Sequence, residues 1–282
     1  MGMLIGLALS AVGAFAGDLR VMPVGDSLTA APHYRRELLE RAQTSGVRLA
    51  MVGPFADGAR GGHAGVSGAS IAQINATLAS HLREHRPDIV LAMIGTNNMN
   101  HGLGMAGDQA RGYPVDAQGR AIGAMVAAPL NGSFLDGLGA LWGDKTYGSD
   151  YLAGEVEALM TTVIQSDPGI RLVISTIPPI AQGPPEAQVG NEHCDARITE
   201  YNAMIARIAD RLNDRFGGRI TVVDPHPAVR RGPGGPADSD FGAIEDQAQD
   251  WVHPKPWSDA WGTIAQLFLD AIIADVHKQG AR

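Results

Sequence analysis

A serine hydroxyl becomes a useful nucleophile only when a base within hydrogen-bonding reach can take its proton and a carboxylate orients that base. Gly25-Asp26-Ser27-Leu28-Thr29 directly follows the apolar run Leu19-Arg20-Val21-Met22-Pro23-Val24, so Ser27 is presented on a turn at the end of a strand. Near the other end of the chain, Asp250-Trp251-Val252-His253-Pro254 places a carboxylate and an imidazole close enough for Asp250 to serve His253 locally. Ser27, His253 and Asp250 are therefore a candidate nucleophile, general base and orienting acid for acyl transfer. Such a reaction develops negative charge on the substrate carbonyl oxygen, and donors must already be aimed at it. Gly68, in Gly65-Val66-Ser67-Gly68, precedes a helical stretch and offers a backbone N–H with no side chain in the way. Asn97, in Ile94-Gly95-Thr96-Asn97-Asn98, follows a strand and offers a side-chain amide.

These residues need a scaffold that brings distant segments to one edge. Five short apolar runs read as buried strands: Leu19 to Gly25, Val47 to Val52, Asp88 to Gly95, Ile170 to Thr176 and Arg219 to Val223. Helical spacing covers Tyr34 to Thr44, Ile71 to Glu84, Tyr151 to Gln165, Ile198 to Phe216 and Ala260 to His277. Alternation of this kind calls for an α/β fold, with five parallel strands joined by right-handed crossovers and helices on both faces. In that architecture chemistry sits where strands end and loops begin. Residues 99–150, rich in Gly, Ala and Pro without a sustained period, read as a long insertion beside the site in a single domain spanning 19–282.

Taken together, Gly25-Asp26-Ser27-Leu28, Gly68, Gly95-Thr96-Asn97 and Asp250-x-x-His253, in this order, resemble the blocks of the SGNH hydrolase superfamily, the GDSL-like esterases. The resemblance covers roughly residues 19–98 and 170–277. It implies a three-layer α/β/α sandwich, flavodoxin-like, and ester hydrolysis without a cofactor. Ser27 would attack, His253 would act as base with Asp250 orienting it, and the Ser27 and Gly68 backbone amides with the Asn97 side chain would form the oxyanion hole. Asn98 departs from the family, which often has Asp there; the donor Asn97 is untouched. Arg20 to Ser27, Tyr34-Arg35 and His63 to Gly68 further resemble the carbohydrate esterases of family 3, which remove acetyl groups from xylan. That implies short-chain acyl esters, O-acetyl groups on carbohydrate above all. Asp26, His63 and Trp251 are the candidate substrate contacts.

Other signals compete. Gly65-Val66-Ser67-Gly68-Ala69 nearly spells a nucleophile elbow, making Ser67 a rival nucleophile, but Ala69 replaces the final glycine and a helix-capping role suits Ser67 better. Gly102-x-Gly104-x-x-Gly107 matches a dinucleotide fingerprint in letters only, because no apolar helix follows it. Asp224-Pro225-His226-Pro227 reads as a stiff turn rather than an acid–base pair. His63, as a lone histidine, fits packing as well as a place in the cleft. Trp251, Trp257 and Trp261 surround His253 in sequence; Trp261 has core spacing, and Trp251 suits the apolar face of a sugar. Asp238, Asp240, Glu245 and Asp246 form an acidic loop that reads as solvated surface, with calcium as the lesser alternative. The histidines show no metal-ligand spacing. An extended apolar trench built from Leu103, Met105, Leu130, Phe134, Leu135, Leu138 and Trp142 would instead favour a lipase or lysophospholipase. A non-catalytic carbohydrate-binding protein on the same scaffold would not need the full set of catalytic groups.

The bulk composition agrees. The 282 residues carry a formal net charge of -8, with 22 Lys and Arg against 30 Asp and Glu, which disfavours a nucleic-acid partner. Cys194 is the only cysteine, so no intramolecular disulfide is possible. Residues 3–16 form a short apolar run ending Ala14-Phe15-Ala16, too short for a membrane span and of signal-peptide length. Residues 1–18 are accordingly expected to direct secretion or periplasmic export, although no basic residue precedes the run.

Overall fold

The computed structural model describes residues 17–101, 149–179, 194–227, 254 and 258–280. The export segment at 1–16 and the body of the proposed insertion at 102–148 are among the expectations that lie outside them.

A central sheet of β1 (Leu19–Gly25), β2 (Leu49–Met51), β5 (Ile89–Met93), β6 (Arg171–Ser175) and β7 (Ile220–Val223) is parallel throughout. Each was expected from an apolar run, and each lies within the run that announced it. The expected count of five needs correction, because among the described residues the sheet has seven strands. The additional pair, β3 (Phe55–Ala56) and β4 (Gly62–Gly65), is an antiparallel hairpin with Phe55 opposite His63. Two and four residues, two of the latter glycine, carry no readable period of 2; the backbone pairing of β4 with β1, and of β3 with β4, makes them strands. The path runs β3-β4-β1-β5-β6-β7, with β2 also on β1. Since β5 takes one edge of β1 from Val21 to Gly25, β2 and β4 share the other: β2 beside Leu19 to Val21, β4 beside Val24 and Gly25.

Strands buried on both faces should alternate between two cores, and these do. Val90, Ala92 and Ile94 enter one cluster, together with Leu172 and Ile174. Ile89, Leu91, Met93 and Val173 enter the other. The first is covered by α3 (Ile71–His85), α5 (Ser149–Ser166) and α6 (Cys194–Phe216), the second by α2 (His33–Thr44) and α7 (Asp259–Gly280). The result is the α/β/α sandwich.

Each helix forms for a local reason. In α3, Ile71, Ile74, Leu78 and Leu82 are buried along one stripe. Its start is a capping box: Ser70 Oγ accepts from Gln73 N at 3.3 Å, and Gln73 Oε1 accepts from Ser70 N at 2.8 Å. The capping hydroxyl is thus Ser70 rather than Ser67. Two short helices went unforeseen, α1 (Ser27–Ala30) and α4 (Thr96–His101), as did a 3₁₀ turn at Gly58–Arg60. With α4 and α5 in place, the stretch 99–150 is helical at both ends. No helix among the described residues is long and apolar enough to cross a membrane.

Candidate active site

The site begins where β1 stops. At Gly25 any Cβ would collide with the Met93 carbonyl oxygen and Thr29 Oγ1, so only glycine lets the chain fold back this closely. Asp26 then caps α1: its Oδ1 accepts the Leu28 N–H at 3.1 Å and its backbone carbonyl accepts from Thr29 at 3.1 Å and Ala30 at 2.9 Å. Ser27 is consequently the first residue of a helix at the carboxyl edge of the sheet, half-buried, and Asp26 is fully buried beneath it. Asp26, expected to contact substrate, here shapes the turn that presents Ser27.

Two further segments are tied to this turn. Val66 N–H donates to the Gly25 carbonyl at 2.9 Å, bringing the chain after β4 alongside the turn that carries Ser27. Gly68 follows in a left-handed conformation, φ 78°, which favours glycine and turns the chain there. Ala69 is held from the third segment: Asn97 Nδ2 donates to its carbonyl at 3.0 Å, while Asn98 Oδ1 accepts the Ile71 N–H at 3.2 Å. An amide nitrogen has two N–H donors, so the bond to Ala69 occupies one and orients the other. In its bond to Ile71, Asn98 uses its oxygen, an atom that an aspartate would also supply.

The structure therefore brings Ser27, Gly68 and Asn97 together from three strand ends. Asp250, His253 and Trp251 lie outside the described residues. The fingerprint at 102–107, Trp257 and the acidic loop 238–246 lie outside them as well. Ser67 stands in the turn beside Gly68, two residues past the end of β4. His63 is fully buried in β4; its Nδ1 accepts the Gly65 N–H at 3.1 Å and its ring meets Phe55 at 5.7 Å between centroids. Trp261 is core, packed on His33 at 5.0 Å. The Asp224 carboxylate accepts from Thr176 Oγ1, and from His226 N–H at 3.2 Å, as a turn would have it. Among the described residues no cluster of three or more His, Cys, Asp or Glu could hold a metal.

Two tyrosines were not singled out for any chemical role. Tyr34 OH approaches Thr29 Oγ1 at 3.4 Å, and burial pushes its phenol up to about 12. Tyr201 OH donates to the Ile94 carbonyl at 2.8 Å, bracing the strand end just before the α4 helix that carries Asn97; burial, and secondarily the charge of Asp26, hold its phenol far above the ordinary tyrosine range. Their helical positions mark both as core; only the fold shows which segment each hydroxyl meets.

The architecture has counterparts among solved structures. A family 3 carbohydrate esterase from Clostridium thermocellum superposes with TM-score 0.55 at 20% identity, covering 93% of this chain and 99% of that one. One from Talaromyces cellulolyticus gives 0.60 at 18%, covering 92% and 99%. An S10A mutant of an acetyl esterase crystallised with acetate gives 0.59 at 17%, with the same coverages. At such identities the likeness is one of fold. No curated protein sequence matches the chain. Residues 24–257 match the GDSL-like Lipase/Acylhydrolase family, which takes in the Ser27 turn, the Gly68 and Asn97 segments and the Asp250–His253 block. With most of its length inside that match, the chain belongs to the GDSL-like lipase/acylhydrolase family and is a carboxylic ester hydrolase.

Proposed function

We propose that this chain hydrolyses short-chain acyl esters, O-acetyl groups on carbohydrate foremost, through an acyl-enzyme on Ser27. The observation that supports it best is the hydrogen-bonded linkage of three strand ends, Val66 to Gly25 and Asn97 to Ala69, which groups one hydroxyl with amide donors. In this reading Ser27 Oγ attacks the ester carbonyl while His253, oriented by Asp250, takes the hydroxyl proton. The Ser27 and Gly68 N–H groups and Asn97 Nδ2 receive the oxyanion of the tetrahedral intermediate. Collapse breaks the bond to the alcohol oxygen, which leaves with the proton from His253. Water, deprotonated by His253, then attacks acyl-Ser27 and releases the acid. Preference for acetyl on sugar draws support from the carbohydrate esterases and acetyl esterase that share the fold.

A nitrophenyl ester series from acetate to dodecanoate, run beside acetylated xylan, tests the reading. Rates should be highest for acetate and propionate, acetate should be released from xylan, and Ser27→Ala and His253→Ala should be inert toward both. Rates peaking at eight carbons or longer would overturn the acetyl preference. Full activity in Ser27→Ala would overturn the mechanism.

A further inference from the structure

A one-turn helix is a poor foundation for a nucleophile. The last carbonyls of any helix lack intrahelical partners, and α1 is only four residues long before Ala31-Pro32 ends it. Thr29 and Ala30 are buried, so water cannot serve their carbonyls. The donors come instead from Arg35, in the first turn of α2. Its Nε donates to Thr29 O at 2.9 Å and its Nη2 to Ala30 O at 3.0 Å, the planar fork spanning two adjacent carbonyls. The same Nη2 lies 3.1 Å from Asp57 Oδ2 in an ion pair, and the other oxygen of Asp57 accepts from Arg60 at 3.1 Å. The Arg35 side chain is 0% exposed, and its Nη1 has no hydrogen-bond partner.

This is an expensive way to stabilise a fold. A buried ion pair gives back little more than its desolvation cost, and apolar replacements often serve stability as well or better. What a guanidinium fork provides that a methionine would not is location: it fixes where two carbonyls, and hence the helix they terminate, must lie. Asp57 belongs to the loop of the β3–β4 hairpin, closed by Asp57 N–H to Gly61 O at 2.9 Å. The hairpin presses on α1 a second time at Gly65, where a Cβ would come within 2.5 Å of Ala30 N. It then runs on through Val66 to Gly68. Nucleophile and oxyanion donor are therefore referenced to one hairpin.

We infer that Arg35, anchored by Asp57, is a positioning residue for the Ser27 nucleophile: it locks the carboxyl end of α1, and through it the Ser27 hydroxyl and backbone N–H, against the hairpin that carries Gly68. The inference rests on the esterase reading and deepens it. An error of about 1 Å in a reacting group costs on the order of 100-fold in rate, so the clamp should act on turnover rather than on substrate affinity.

Arg35→Lys keeps the charge but loses the fork, and Asp57→Asn keeps the shape but loses the anchor's charge. Each should lower kcat on nitrophenyl acetate by about 10- to 100-fold with KM within about threefold, and slow acylation of Ser27 in the pre-steady-state burst in proportion. Arg171→Met, which breaks the ion pair of Arg171 with Asp275 at 3.5 Å at the start of β6, controls for lost stability. It should lower Tm while kcat stays within about twofold, as expected where no reacting group moves. If Arg35→Lys fails to fold, Asp57→Asn, the milder change, decides the matter. A folded Asp57→Asn or Arg35→Lys enzyme with wild-type kcat and burst rate overturns the clamp, and so does an Arg171→Met enzyme that loses as much kcat as they do. Failure of the esterase reading would look different: the wild type itself would show no turnover, or Ser27→Ala would equal it.

Discussion

Two neighbouring strand ends carry nearly the same letters and do different work. Gly25-Asp26-Ser27 and Gly65-Val66-Ser67 follow strands paired in parallel register, Val24 with Ala64 and Gly25 with Gly65, so the two serines sit at the same offset. The middle residue separates them. The Asp26 carboxylate accepts the Leu28 N–H, two residues on, and so starts a helix at Ser27 itself. Val66 has no such oxygen; its side chain packs on the core, the chain turns at Gly68, and a helix begins only at Ile71 under the Ser70 cap. One strand end thereby presents a hydroxyl and the other a backbone N–H, held together by Val66 N–H to Gly25 O.

Substitutions at the two limbs test this division directly. The largest effect is expected at Ser27→Ala, which should lower kcat by at least about 1000-fold and abolish the burst; a folded variant retaining a tenth of wild-type turnover would place the nucleophile elsewhere. Asn97→Ala should follow, with kcat down by roughly 100- to 1000-fold and KM little changed, the penalty for one missing oxyanion donor. An unaltered kcat there would leave Ala69 as the only business of that amide.

A third expectation concerns stability at high pH and the Ser27 limb, which Tyr34 braces through Thr29. Its phenol titrates at about 12 when folded, against 10.0 for the ordinary group. Above pH 10 the unfolded chain ionises while the folded chain keeps its proton, so stability falls as pH rises from 10 towards 12, by up to about 3 kcal/mol. Denaturant unfolding at pH 8 and pH 11.5 should show a shallower alkaline loss in Tyr34→Phe than in wild type; equal losses would mean the phenol titrates normally. The smallest effect is expected at Ser67→Ala, since the α3 cap is Ser70 and the donor proposed beside Ser67 is the Gly68 backbone N–H. Its kcat should stay within about threefold of wild type, as for a substitution away from the reacting groups. A dead Ser67→Ala enzyme would reverse the roles of the two strand ends.

How much of this was legible in the chain depends on distance along it. The five long apolar runs became strands and the five periodic stretches became helices, because burial on alternate faces and 3.6-residue stripes are local patterns. Ser27, Gly68 and Asn97 could be named since each stands beside the end of an apolar run or the start of a helix. The Ser70 cap was also readable, from Ser70 and Gln73 at capping-box spacing, but the near-motif around Ser67 drew attention from it. Nothing local marks Phe55–Ala56 and Gly62–Gly65 as strands, and although Tyr34-Arg35 carries part of the family 3 resemblance, nothing beside Arg35 in the sequence shows which carbonyls its guanidinium meets.

What the sequence by itself determined is the five long strands, the five long helices and the chemical inventory: a serine after one strand, glycine and asparagine after others, an Asp–His pair near the end. Tertiary structure alone decided how the described members of that inventory are arranged. Asp57 under Arg35, Val66 on Gly25 and Asn97 on Ala69 are pairings between residues 22 to 41 positions apart. Their partners are chosen by strand register and backbone closeness, and no residue type or spacing encodes either until the sheet has formed.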